Sequence, residues 1–595
     1  MTDPRAKEHR KTPHSVALMV MAASVLPGCT TPVGDTTGTP HERDPSQTGL
    51  DPMTEATSAD DGGLPEANEP LDDADSGAPA AANTAPATTS STNGNAPNTT
   101  PAATSSNGSA PANDPSTSGP APNAAPADDR STNDPATNEA SAQPAGFLSI
   151  DARLHAVLDD LHTISNPVDR ERARYFDLSS LSNAGYSGPQ LEVHREALSF
   201  LLNSLSHGRS VIAPHAVDAD KLIYRIDLRD YLWDATSWTQ LEAIYPYAVV
   251  YDRDSRLFPF DEATAQQIRA ETKTQIPLIQ SDWFLSHASR PPLYISLLKL
   301  PGALTSLEQQ LGVDLQRDID AEQVLRAGFA EAGPSHNNGV IERHELGGNR
   351  GALWLSYDFK NNLDFRNVFA HPRDFREDAR EVIFNLENGL QAYFVSDAAG
   401  QRLDKAPNNV VQDPASRDGA VETGLSCMNC HQTDGQLPKY DEIREVELKA
   451  SANAVETDKV LALYVTRDEL EAAFVNDQTR YRTARAGLGI SNISNTSLHE
   501  LDATHLGIIG LDGVAGLVGL KAEDLKRAID ASRQALPPQI VALLNKDGGI
   551  QRDAFDAVVG DFIKAIGLGE QLLVASTGAR RSNADTGTNT NGTHY

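Results

Sequence analysis

The amino-acid sequence predicts an α+β protein: a mainly helical body with short antiparallel strands and one hairpin, followed by a helical C-terminal part. Three observations predict it. Apolar residues recur at helical spacing, as at Leu191, Leu198, Leu201 and Leu202 before the stop at Gly208. Other runs alternate with a period of two, as in "KLIYRIDL" over 221–228. In "EVIFNLENGLQAYFVSD" (381–397) two β-rich runs flank Asn388-Gly389, a dipeptide that favours a type I′ hairpin turn.

Taken in order, the chain begins with four basic residues, Arg5, Lys7, Arg10 and Lys11, and then eleven mostly apolar ones over 16–26. That run is too short to span a bilayer, which takes about 20 residues. It fits the core of a signal peptide. It ends in "LPGC" (26–29), which resembles the lipobox of bacterial lipoproteins. The resemblance implies a signal peptide over 1–28 and lipidation of Cys29 as the new N-terminus. Thr30, rather than Asp, after the cysteine implies sorting to the outer membrane of the cell envelope, with the body on the periplasmic or surface face.

Residues 29–146 are expected to be a disordered tether. From Asp72 to Gly146 there is no Val, Ile, Leu, Met, Phe, Tyr or Trp, so nothing there can offset the entropy of ordering. This segment holds seventeen acidic side chains against two basic ones, in a chain of formal net charge -32. A surface so acidic repels nucleic acid and anionic headgroups and excludes both as partners. As a flexible coil, the tether lets the body sit on the order of 60 Å from its lipid.

The body is expected in two parts, an α+β domain over 147–405 and a helical domain over 406–573, with a polar tail over 574–595. "IDARLHAVLDDLHTI" (150–164) reads as a helix with Leu154, Leu158 and Leu161 on one face. "GVIERHEL" (339–346) and "GALWLSYDFK" (351–360) read as strands. Near the C-terminus, "RDAFDAVVGDFIKAIGLG" (552–569) lines up Phe555, Val558, Val559, Phe562, Ile563 and Ile566. The glycines at 507, 510, 513, 516 and 519 lack the Gly-Lys-Ser/Thr of a phosphate loop and point to close backbone packing, against a cofactor if one is near.

The motif that carries chemistry is "VETGLSCMNCHQTDG" (421–435). It holds two of the three cysteines of the chain, Cys427 and Cys430, followed by His431. Three chemistries compete. A c-type haem takes two thiols for its vinyl groups and a histidine for one face of the iron, and CxxCH supplies all three in one turn. A thioredoxin-like disulfide asks for a βαβ context and a thiol of lowered pKa, and no such pattern is visible. A structural zinc site asks for two more Cys or His at matching spacing, and there is no second CxxC. The predicted cofactor is therefore one covalent haem c on Cys427, Cys430 and His431.

The far side of the iron is then decided by counting. The five methionines are Met1, Met19, Met21, Met53 and Met428. Only Met428 belongs to the body, and it lies inside the attachment loop. A His/Met iron is not expected. The candidate histidines are His344 first, then His371, His336, His499 and His505.

From about 180 to 570 the chain resembles a family of large exported bacterial proteins with a single c-type haem motif and a cytochrome-c-like C-terminal part. The resemblance rests on "RIDLRDYLWD", "NNGVIERHE", "LWLSYDF", "NLENGLQAYFV", "GLSCMNCH" and "DGGIQRDAF", in that order. It implies haem attachment at Cys427, Cys430 and His431, and places the family's Glu-Arg-His motif on Glu342, Arg343 and His344. It names no substrate. The expected activity is electron transfer with a redox protein or a small-molecule donor or acceptor. The alternatives are an open-site haem enzyme or sensor of peroxidase type, and a substrate-binding module with an accessory haem.

Overall fold

The computed structural model describes residues 146–574, apart from 253, 256–259, 261, 333–335, 451–452 and 491–496. The leader, Cys29, the tether and the tail beyond 574 lie outside the described residues. The protein is a mixed α+β structure, and none of its described helices is long and apolar enough to cross a membrane.

The first helical pattern forms α1 (Ile150–Thr163), whose N-terminus is capped by the Ser149 hydroxyl, accepting from the Ala152 amide. Its buried stripe runs through Ile150, Arg153, Val157 and Leu161, while Leu154 and Leu158 are half-buried. The stripe is shifted because Arg153 turns inward to Asp177, at 2.8 Å. Asp177 ends β1 (Ala173–Asp177). After α2 (Gly188–Ser204), β2 (His215–Ala216), β3 (Ile223–Asp227) and β4 (Leu278–Gln280) join β1 in a four-stranded sheet of order β2-β3-β1-β4. Only the β1–β4 pair is parallel. The alternating run at 221–228 becomes a strand covered on both faces: Tyr224 faces the main core and Ile223 a smaller cluster with Val157 and Tyr175.

Helix α3 (Ser281–Ala288) follows directly. The second sheet is an antiparallel meander of five strands: β5 (Leu325–Phe329), β6 (Gly339–Leu346), β7 (Gly351–Asp358), β8 (Ala379–Asn385) and β9 (Gln391–Asp397), in the order β9-β8-β7-β6-β5. The hairpin forms where expected, with a different turn. The Gly389 amide donates to the Leu386 carbonyl at 3.0 Å, so the turn centres on Glu387 and Asn388, with Gly389 at φ +90 after it. That is a type I turn with a glycine bulge rather than a type I′ turn. Asn388 has other work: its amide donates to the Asn203 carbonyl and its side-chain oxygen accepts from the Leu390 amide.

From α4 (Leu425–His431) onward the chain is mostly helical, including α5 (Arg467–Gly487) and α6 (Leu498–His505). The C-terminal pattern breaks into two short helices, Arg552–Asp556 and Val559–Ala565, which bury Phe555, Val559, Phe562 and Ile563. The glycine row packs closely, as its composition requires, but elsewhere than against the cavity described below. A Cβ on Gly516 would stand 2.4 Å from the Ser180 carbonyl. One hydrophobic core extends from Ile150 to Leu568. The five-stranded sheet and the C-terminal helices share it, so the expected division at 405/406 runs through a common core.

Candidate cofactor site

Two glycines set the frame of the CxxCH segment. Gly424, which caps α4, has φ +93, and a Cβ there would lie 2.5 Å from the Ser289 carbonyl and 2.9 Å from the Tyr294 ring. Gly435 has φ +76, which turns the chain so that its carbonyl accepts a hydrogen bond from His431 Nδ1 at 2.9 Å. A carbonyl can only accept, so the proton sits on Nδ1 and Nε2 keeps its lone pair. This is the support that orients a metal-ligating imidazole. Burial lowers the proton affinity of the ring, against the opposing effect of the bond to Gly435. The turn after α4 is pinned by the Tyr481 hydroxyl, which donates to the Gln432 carbonyl at 2.8 Å, and by the Leu498 amide, which donates to the Gln432 side chain at 3.2 Å.

Cys427, Cys430 and His431 line one wall of a cavity of about 1080 Å³, counting its open mouth. The opposite wall is one face of the five-stranded sheet. Strand side chains alternate between faces, and the register puts Ile341, Trp354, Ser356, Glu381, Ile383 and Tyr393 on this one. Trp354 is held flat against Phe474, with ring centroids 4.7 Å apart and 9° between planes, and its indole N–H donates to Asp477 at 2.8 Å. Arg343 donates to the same carboxylate at 2.8 and 3.1 Å. The wall is therefore rigid.

Burial pushes the Cys427 thiol up to about 12, and the charge of Glu381 adds to the effect. A redox disulfide needs the opposite shift in its attacking thiol. Among the described residues no three His, Cys, Asp or Glu converge as a metal-ion ligand set, which leaves a zinc site without its partners. The residues fit a c-type haem instead. Two cysteine side chains and an oriented imidazole share one wall, and Phe329, Ile341, Trp354, Leu355 and Ile383 are among the apolar groups that line the rest. Three lining residues also hold buried polar atoms with no hydrogen-bond partner: the Tyr393 hydroxyl, Gln436 Oε1 and Asp413 Oδ2.

His344 is placed elsewhere. On β6 it follows the even-numbered residues Val340 and Glu342, which face away from the cavity. It is fully buried, with Nε2 2.9 Å from Glu342 Oε1 and Nδ1 3.3 Å from Asp318. Glu342 also receives Arg326 at 2.7 Å and the Tyr357 hydroxyl at 2.9 Å. Burial drives the Glu342 carboxyl up, but Arg326 and His344 outweigh it and hold it at about 2. The assignment of His344 as a ligand at this cavity is thus corrected: the strand alternation turns it to the other face, into a structural ion network. His371 stands beside Phe365 and Asp374, His336 is exposed, His499 is half-buried, and His505 is bound to Asp282 at 3.1 Å. Among the described residues lining the cavity, His431 is the only histidine and none is a methionine. Met428 is fully buried in the core.

Sequence reasoning missed Glu381, Asp413 and Lys439 in this cavity. Lys439 is its one Lys or Arg among the described lining residues. Burial lowers its amine, against the pull of Glu442. No family model, curated protein or solved structure matches this chain.

Proposed function

We propose that the chain is an exported, lipid-anchored c-type haem protein, with one haem attached at Cys427 and Cys430 and ligated by His431. Haem in this position supplies one-electron redox chemistry. The C-terminal helices act as the cytochrome-c-like part, as the resemblance to exported mono-haem proteins suggests, and the five-stranded sheet closes the pocket over them. One observation carries the reading: the two cysteine side chains and the oriented imidazole share the wall of a cavity in which His431 is the only histidine among the described lining residues. His431 would be the one histidine the described lining residues offer to an iron there, and the cavity mouth would give a small molecule access to it. Electron exchange with a small-molecule donor or acceptor, of peroxidase type or in sensing, is the activity this arrangement favours.

Lys439 supports a second reading. An amine whose proton affinity is lowered by burial is a nitrogen ligand in its neutral form, and it would close the site for electron transfer between proteins. Absorption spectra of the full chain, expressed with a periplasmic haem-maturation system, separate the two. A Soret band that survives denaturation with acid and acetone shows covalent haem. High-spin ferric character and ready binding of carbon monoxide to the ferrous form are expected. A low-spin spectrum indifferent to carbon monoxide, becoming responsive in Lys439→Ala, favours the second reading. Recovery of free or disulfide-bonded thiols with no Soret band rejects both.

A further inference from the structure

Two carboxyl groups line the cavity, and a third adjoins it. Glu381 lies on β8 and faces the cavity beside Ser356, its register partner on β7. Two residues further on, the same face of β7 carries Asp358, which is buried, and its Oδ2 has no hydrogen-bond partner. Asp413, in the loop before α4, lines the cavity and is buried. Its Oδ1 accepts from the Ala415 amide at 2.9 Å, and its Oδ2 has no partner. Among the described residues none of the three is in an ion pair. Elsewhere in the protein the buried carboxylates Asp177, Asp282, Glu342 and Asp477 are each paired with arginine.

We propose that Glu381, backed by Asp413 and Asp358, is the proton-exchange group of this cavity: it takes up one proton when the site gains one electron and returns it on oxidation. This rests on the haem reading. The electron comes from an external one-electron donor and the proton from water, so the cavity gains no net charge. The group left on reduction is a neutral carboxylic acid.

The surroundings of Glu381 support the assignment. Burial and then the charge of Asp413 push its carboxyl up to about 7, so it changes protonation close to neutrality. Asp358 is pushed well above its ordinary range by burial and then by Glu381. From α4, Cys427 and His431 face the cavity, the first as a thioether and the second as a ligand in the haem-bearing protein. From β9 comes Tyr393, whose hydroxyl is pushed far above neutrality by burial. Lys439 is the one opposing lysine or arginine among the described lining residues. An electron added beside a carboxylate that is partly withdrawn from solvent raises its proton affinity by direct Coulomb repulsion.

The test is spectroelectrochemical titration of the full-length haem-bearing protein from about pH 5 to pH 9, with a dithionite-reduced mediator as electron donor. With one proton per electron, the midpoint potential of the wild type falls by about 59 mV for each tenfold drop in proton concentration across the window around neutrality. In Glu381→Gln the slope is flat there. At the alkaline end the variant has the higher potential, because the carboxylate that favours the oxidised site is gone. Redox-difference infrared spectra of the wild type alone give a second readout: a protonated-carboxyl stretch gained on reduction and lost in Glu381→Gln. A wild-type potential independent of pH, or no such band, overturns the proposal whether or not the variant folds. An intact Soret band with the wild-type slope kept in Glu381→Gln also overturns it, and assigns the proton to the haem propionates. Absence of any Soret band overturns the haem reading and this proposal together.

Discussion

At His344, membership of a buried ion network and a role as iron ligand make opposite demands on one ring. A ligand must keep a nitrogen free, and here both nitrogens stand against carboxylate oxygens in a site closed to water. His344→Ala is therefore expected to leave the haem spectrum unchanged while lowering stability by roughly 1–3 kcal/mol, the usual cost of leaving a buried acceptor short of one partner, since Glu342 keeps Arg326. Denaturant unfolding monitored beside the Soret band checks both halves. A change of spin state without loss of stability would return His344 to the iron. The residue level also shows what a linear reading lacks. Cys427, Cys430 and His431 could be read as one group because they stand within five consecutive letters, and the structure brings all three to one cavity. Glu381, Asp413 and Lys439 come from a strand and two loops, and only the fold brings them to one cavity. His344 was misplaced because its motif is local, whereas the face it occupies depends on the register of the whole sheet.

Among the elements, α4 depends most on a single glycine. Seven residues are too few to hold a helix by propensity alone, so its ends are fixed by the bonds of Gly424, Gly435 and Gln432. Gly424→Ala would force a side chain into φ +93 and against the Ser289 carbonyl. The backbone strain alone costs about 1–3 kcal/mol, and relief of the clash shifts the first turn, where Cys427 sits. The expected result is haem content reduced several-fold at equal protein yield, measured by reduced pyridine spectra. Full haem loading with an unchanged melting temperature would show that the contact yields easily. The elements that repeat a simple period were the legible ones: α1, β3 and the β8–β9 hairpin all fall where the pattern puts them. The details that went astray have tertiary causes. Asn388 gives up the type I′ turn to anchor Asn203, and Arg153 rotates the buried stripe of α1 toward Asp177.

On the scale of the whole molecule, amino-acid composition alone sets two stretches of the chain apart. The described body shares one core, while the segment over 29–146 lacks the apolar residues to build one. That contrast, together with "LPGC", is the basis for proposing that the body hangs from a lipid on Cys29. A single acyl chain binds membranes only marginally, and two give stable anchoring, so diacylation at one cysteine is enough. The strong negative charge offers no electrostatic help at an anionic surface. The lipid must then carry the whole attachment, and its removal is expected to be all-or-none. In cells making the wild type, the Soret absorbance should sediment with the outer membrane and enter a detergent phase. With Cys29→Ser, the protein should either appear in the soluble envelope fraction with its Soret absorbance intact or remain as the unprocessed precursor. Intact mass of the wild type should show the diacyl group on Cys29. A wild type that is soluble and carries no lipid would end the tether reading, and would leave the haem reading standing on the cavity alone.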